Sequence, residues 1–316
     1  VHAGVVIWLA VTVGFVVLHS VPGDAVSQSS EQAGRTDAAR EHLRAQLALD
    51  QPLPVQYARY LGRVLRGDLG VSLVQQRPVS ATLIPALINT LVLSGVALVL
   101  AVLAGMGIGV YQGWRPHSWL SRGIGEMFTA IYAVPEFILA VAMLSLLALR
   151  WGLFPVGGLS DPLVSLTGSS WAQFSDRVWH VTLPAMTLAL GWCAAVARQQ
   201  RVAVVQVAGE DFVRTAVAKG MSGRRVLLRH VLPNALISVI AMISIMLPVV
   251  AGGTVIVESL FAWPGAGTLM LQSVAARDYP VVSGGIIAVA IMVNIGALCA
   301  DVAVALVDPR QTLRDV

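Results

Sequence analysis

The sequence predicts an all-α polytopic membrane protein with six transmembrane helices and a small helical insert outside the membrane. Three observations carry that expectation. The 316 residues are 56% apolar and 12% charged, with a net charge of +4 and a mean hydropathy of +0.76, whereas soluble domains are about 45–50% apolar and about 25% charged. Six segments are long and apolar enough for a helix of about 20 residues to cross a bilayer. The basic residues gather in a few of the connections between them, as the positive-inside rule requires.

The first span covers residues 1–21, and VPGD at 21–24 ends it with a turn. Its alternative is a cleaved signal peptide, against which stand the length of the apolar run and the lack of a basic flank. Residues 22–82 form the insert. Asp37 is placed to cap a helix over 38–49, and Pro54 to open one over 54–66. The latter gathers Tyr57, Tyr60, Leu61, Val64 and Leu65 on one side and Arg59, Arg63 and Arg66 on the other, and Gly67 ends it. The Arg stripe is either a solvated face or a contact for an external partner or anionic ligand.

Residues 83–316 make a five-helix core. Its first span, 83–112, carries Ala101, Gly105, Gly109 and Gly113 at four-residue spacing, a pattern that lets helix backbones approach closely. The next, 124–149, holds Glu126, placed to pair with Arg122, and Glu136 directly after Pro135. The remaining spans are 179–197, which ends at Arg198, then 234–258, with Glu258 expected at its outer, wet end, and 281–307, with Asp301 near its close. Glu136 and Asp301 are candidates for pathway or anchoring roles, because an ionisable group inside a membrane is functional by default. No interrupted segments stand in matching halves and no inverted repeat is visible, which counts against a secondary transporter.

Charge sets the orientation. Residues 198–233 hold seven basic residues against Glu210 and Asp211. At about 3 kcal/mol each at a helix centre, seven would cost on the order of 20 kcal/mol in lipid, so this loop lies in water. By the charge rule it faces the cytoplasm, as do loop 113–123 and both termini, while 22–82, 150–178 and 259–280 lie outside. The charge is too small and scattered for nucleic acid.

The chemistry of a reaction centre is missing from the sequence. There is no HExxH, GxSxG or P-loop, so no catalytic residue is assigned. His19, His180 and His230 are isolated, and Cys193 and Cys299 lie in apolar runs without ligand spacing, so no metal site is expected.

The loop at 198–233 is more than a charged connection. A short helix over 212–219, capped by Asp211, is followed by Gly220 in a position suited to a left-handed turn. A second helix follows over 223–232, capped by Ser222, and Pro233 redirects the chain into the fifth span. The result is an elbow bearing apolar and basic groups. The stretch resembles the EAA motif of ABC importer permeases, E-A-A, three residues, G, nine residues, I-x-L-P. Arg214, Thr215 and Ala216 stand at E-A-A, Gly220 matches the Gly, His230 stands at the Ile, and Leu232-Pro233 match the end. RTAVAKG with RRVLLRHVLPNA looks like the peptide/nickel branch. So do VPGDAV at 21–26, LDQPLPVQYARYLGRVLRGDLGVSL at 49–73, ESLFAWPGAG at 258–267, ARDYPVV at 276–282 and DPR at 308–310.

That resemblance implies the type I ABC importer permease fold and a bacterial inner-membrane location. It implies half of a translocation pathway for peptides, nickel chelates or similar small solutes. It implies a second homologous permease, two ATP-binding subunits that supply the ATP and Mg sites, and an extracytoplasmic solute-binding protein. This chain itself binds no cofactor on that reading. Residues 211–220 become the docking helix, in which Phe212, Val213 and Ala216 pack on the ATPase while Arg214 and Lys219 fix orientation. Leu232 and Pro233 pass motion to the fifth span. The outer mouth and binding-protein contact fall on Arg59, Arg63, Arg66 and the turn Trp263-Pro264-Gly265, and Glu136 is the candidate pathway residue. The rivals are an ion-coupled secondary transporter working through Glu136 and Asp301, and an intramembrane enzyme with no motif behind it.

Overall fold

The computed structural model describes residues 2–20, 51–252 and 254–307. The cap at Asp37 and its helix, the VPGD turn, Gly253, and DPR with the rest of the tail lie outside the described residues. Every regular element among the described residues is helical, apart from one isolated bridge between Val71 and Pro78. Four helices are long and apolar enough to cross a membrane, and a bent pair makes a fifth if it counts as one span. The helix His2–Ser20, α1, has a described apolar stretch of Gly4–Val16, shorter than a span. The described residues thus account for four of the six expected spans, or five with the bent pair counted as one.

The chain divides into two compact units. The first consists of Val1–Thr90 and Pro264–Asn294. Here α2, Leu53–Leu65, starts at a proline in the first turn, where a missing N–H costs nothing, and Gly67 follows it at φ 77°. Its tyrosines face inward. Phe15 of α1 meets Tyr57 edge-on at 5.2 Å and Tyr60 at 5.7 Å. Tyr57 and Thr12 hydroxyls are 2.8 Å apart, and Tyr60 hydrogen-bonds Ser283. Burial pushes the Tyr60 phenol above its ordinary pKa, and Ser283 and Arg63 oppose the shift, so the phenol is neutral at physiological pH. Arg59 and Arg66 are exposed and Arg63 is partly covered.

Buried Asp278 ties the first unit together. Its carboxylate accepts hydrogen bonds from the Ser72 hydroxyl and from the backbone N–H of Leu73 at 3.0 Å, while Ser72 in turn accepts from Gln75 N–H at 2.9 Å. A buried carboxylate needs such donors to offset the loss of its water. Beside it pack Val79, Leu83 and Val281. The helix Ala266–Ala275, here α12, receives its cap from outside its own sequence, because Thr90 accepts from Ala266 N–H at 2.8 Å. Asn89 donates to the Pro264 carbonyl at 2.9 Å.

The second unit is Leu91–Trp263 with Ile295–Val316. Its elements are the rest of α3, Val79–Trp114, then α4, Trp119–Ala133, and α5, Glu136–Met143, which runs on as a π-helix over Leu144–Arg150. After a loop come α6, Pro162–Thr167, α7, Ser170–Ala208, α8, Asp211–Ala218, and α9, Gly223–Val226, which passes through a π-helical stretch, Leu227–Val231, into α10, Leu232–Gly252. Then come α11, Val255–Leu260, and the end of α13, Tyr279–Val307.

The structure departs from the sequence reading at several points. α3 starts at Val79, four residues before the expected span. The expected single span 124–149 is two helices, α4 and α5, meeting at 104°. At the joint Val134 and Pro135 are extended, with ψ 126° and 139°. Proline forbids the preceding residue an easy helical conformation, and here nothing restores it. The expected span 179–197 is part of the 39-residue α7, because Arg198 and Arg201 continue the helix rather than end it. Arg122 does not pair with Glu126; it donates to the His117 carbonyl at 3.0 Å. Glu258 is fully buried in α11 rather than wet.

The glycine stripe behaves as expected. A Cβ on Gly105 would lie 2.8 Å from Val196 Cβ, one on Gly109 2.5 Å from the Ala197 carbonyl oxygen, and one on Gly113 2.6 Å from Val204 Cβ. α3 and α7 are therefore in backbone-level contact, which only small residues permit. The main core of this unit gathers Leu93, Ala97, Ala101, Leu183, Leu188, Val257, Phe261 and Trp263.

Candidate functional site, the elbow between α7 and α10

The elbow is built on the end of α7. Gly209 and Glu210 turn the chain, and Glu210, not Asp211, occupies the N-cap of α8, with no side-chain bond to the helix. Asp211 is the first helical residue, where its charge favours the positive end of the helix dipole. It pairs with Arg214 at 3.4 Å on an exposed surface, a contact worth little by itself. Lys219 ends the helix and Gly220 takes φ 79°, a left-handed conformation that costs other residues energy. Ser222 stands at the N-cap of α9 without a side-chain bond.

α8 has two faces. Val213 and Ala216 are buried, and with Ala203 and Val204 of α7, Val226 and Val231 of the following segment, and Ala235 they form a compact core. Trp114 and Met221 pack against its edge. The other face holds Phe212 and Val217, 45% and 56% exposed, with Arg214, Thr215 and Lys219 also in the open. Val213 and Ala216 thus fix the elbow to this chain's own frame and are not offered to a partner, contrary to the expectation for them. The outer surface is Phe212, Arg214, Thr215, Val217 and Lys219.

Pro233 does not redirect the chain. Gly223–Pro248 runs as one helix, with Leu232 partly buried and Pro233 exposed at the start of α10. The π-helical stretch just before it, Leu227–Val231, changes the hydrogen-bond register where proline lacks an N–H, so the helix passes through without a break. The second arm of the elbow is therefore helix-continuous with α10.

Elsewhere, Trp263 is 1% exposed and lies in the main core of the second unit. Its indole is an internal anchor rather than an external contact surface. Pro264 and Gly265 lead into α12. Glu136 is exposed at the first position of α5, directly after the bend. Sequence reasoning missed that Glu136 sits at a helix break, although Val134-Pro135 was the signal for it.

Comparison with known proteins follows the same lines. Residues 102–313 match the family described as binding-protein-dependent transport system inner membrane component, and residues 1–94 match its N-terminal companion family. The chain is 36% identical over 306 residues to the oligopeptide transport system permease protein AppB of Bacillus subtilis, covering 96% of this chain and 95% of that one. It is 32% identical to the dipeptide transport system permease protein DppB of Escherichia coli, covering 94% and 92%. It is 36% identical to the glutathione transport system permease protein GsiC of Salmonella paratyphi A, covering 93% and 91%. In fold it is similar to a chain of the MetNI methionine ABC transporter, with a TM-score of 0.56 at 18% identity over 72% of this chain and 96% of that one. In such systems ATP is hydrolysed by separate subunits, and the solute is presented by a substrate-binding partner. The chain therefore belongs to the binding-protein-dependent transport system inner membrane component family, as a multi-pass inner-membrane permease subunit of an ATP-driven importer.

Proposed function

We propose that this permease carries peptides or closely related small solutes, and that α8 is the handle by which ATP-binding subunits move it. The relatives named for oligopeptides, dipeptides and glutathione support the solute class. The observation that carries the mechanism is the two-faced elbow. Its inner face, Val213 and Ala216, is locked into the chain's own core, and its outer face, Phe212, Arg214, Thr215, Val217 and Lys219, is left for a partner. A solvated helix gains nothing from leaving the Phe212 ring in water; a groove in another protein does.

The assembly on this reading has two homologous permeases, two ATP-binding subunits holding ATP and Mg, and an external binding protein that delivers the solute. The elbow faces the cytoplasm by its charge. ATP binding draws the two ATPases together and pulls α8. Because the helix from Gly223 runs unbroken into α10, the pull reaches the spans as a rigid-body movement. The exposed Arg59 and Arg66, with Arg63, serve the external partner.

The test is Gly220→Asp. A side chain at φ 79° strains the turn that sets α8 against α9, and the added charge sits beside the docking face. The complex carrying it should insert at normal levels and hydrolyse ATP, yet lose at least about tenfold in peptide uptake, the size expected when a lost contact costs roughly 1.4 kcal/mol. Unchanged ATP-driven uptake by this variant would remove the handle from the account. Uptake of a nickel chelate in place of peptides would change the solute class.

A further inference from the structure

Between α4 and α7 lies a small cavity of about 50 Å³, lined by Gln112, Gly125, Phe128, Thr129, Ala194, Ala197, Arg198 and Arg201. Gly125, Phe128 and Thr129 are one stripe of α4, spaced i, i+3, i+4. Ala194, Ala197, Arg198 and Arg201 are one stripe of α7, spaced i, i+3, i+4, i+7. The lining is one-sided in charge, with two guanidinium groups and no carboxylate. Arg198 stacks over the Tyr132 ring at 4.6 Å. A cation–π contact of this kind uses no N–H of the guanidinium, so its donors remain for a ligand. Arg201 has neither ion pair nor hydrogen bond among the described residues. The Gln112 amide approaches from α3, donating to the Ser121 carbonyl at 3.2 Å. Gly125 keeps the space open, since a Cβ there would stand 3.5 Å from Gln112 Nε2 and 3.6 Å from Arg201 Nη1.

Arg198 and Arg201 are solvent-exposed at i, i+3 on α7 with no carboxylate in the lining, so the two like charges repel each other, and an anion held between them relieves that repulsion. The planar fork of arginine is matched to a carboxylate, which two such groups grip through several charge-assisted bonds. The volume holds one carboxylate and a few waters, and is too small for a whole peptide. We propose that this cavity is a carboxylate-binding station, which takes the C-terminal carboxylate of the solute as it leaves toward the elbow side. The assignment rests on the peptide-importer reading above. It places recognition of the free acid in the permease, in addition to any made by the binding protein.

The test uses the membrane complex of permeases and ATPases, without the binding protein, in phosphatidylcholine nanodiscs. Trialanine and trialanine amide are the probes, and saturation-transfer difference NMR reads weak binding. The free acid should bind roughly tenfold more tightly than the amide, the order expected for losing hydrogen bonds to a charged group. Arg198→Gln with Arg201→Gln should abolish that preference. Gly125→Ala should weaken it as well; its methyl meets its neighbours at ordinary contact distances, so the fold is kept while the cavity shrinks. Equal binding of acid and amide by the unaltered complex overturns the proposal, as does a preference that survives all three substitutions. Phosphatidylglycerol retained by the unaltered complex but not by the double variant, with no preference for the acid, would assign the cavity to a lipid headgroup and overturn it too. A complex that shows the acid preference but accumulates no peptide in an ATP-driven assay would leave this site standing and defeat the peptide-importer reading.

Discussion

Asp278 shows how one side chain organises a segment that its local sequence leaves undecided. Residues 66–78 have little regular structure, with Gly67 and Gly70 at φ 77° and 84° and Gln76 at φ 55°. What holds them is a carboxylate some 200 residues away, accepting from the Ser72 hydroxyl and the Leu73 N–H. Replacing Asp278 by Asn keeps the shape, but it removes the charge and turns one acceptor into a donor facing a donor. The expected loss is about 1–3 kcal/mol of stability. It should appear as a lower unfolding temperature in mild detergent and earlier proteolysis of residues 66–78. An unchanged temperature would show that the clamp contributes nothing. Only half of this contact was legible in the sequence: ARDYPVV was recognised as a loop feature, but its partner Ser72 was not, because nothing local links them. The residues of the elbow show the same division. Gly220 was readable as a left-handed turn residue from its place after an amphipathic run. The inward burial of Val213 and Ala216 was not, since their spacing marks an apolar face without saying what covers it.

At the scale of elements, proline is the instructive case. Pro85, Pro184 and Pro248 lie inside unbroken helices, whereas Pro135 separates two helices that meet at 104°. The same residue type in similarly apolar surroundings gives opposite outcomes. Proline lowers the cost of leaving the helix at the residue before it, and whether the chain then leaves is decided by what packs around it. The close approach at α3 was legible by contrast, although its partner α7 was not. Gly105, Gly109 and Gly113 follow a spacing whose purpose is close backbone approach, and the structure places them against Val196, Ala197 and Val204. Gly109→Leu should therefore be poorly tolerated. Its side chain has no room beside the Ala197 carbonyl, at a cost of about 1–3 kcal/mol or more from overpacking. Size-exclusion profiles of the detergent-extracted variant should shift toward aggregate, while Gly107→Leu, where nothing lies within 4 Å of an added Cβ, should run like the unaltered protein.

For the whole molecule, the prediction concerns what drives it. The chain lacks an ATP site in its sequence and belongs to a permease family, so reconstituted alone it should move no peptide down any ion gradient. Uptake should appear only with the ATP-binding subunits and ATP. Transport by the isolated chain under a proton or sodium gradient would restore the secondary-transporter alternative. The sequence by itself determined that this is a helical membrane protein, where most of its spans lie, and to which family it belongs. These are written in composition, run length, charge placement and short motifs, all of which are local. Only the tertiary structure decided that one span is bent at Val134-Pro135, that Arg198 and Arg201 stay helical and face Gly125 and Thr129 across a small cavity, and that Trp263 and Glu258 are interior. The reason is physical. An apolar face or a buried charge acquires its meaning from the surface it meets, and that surface is supplied by residues far away in the chain.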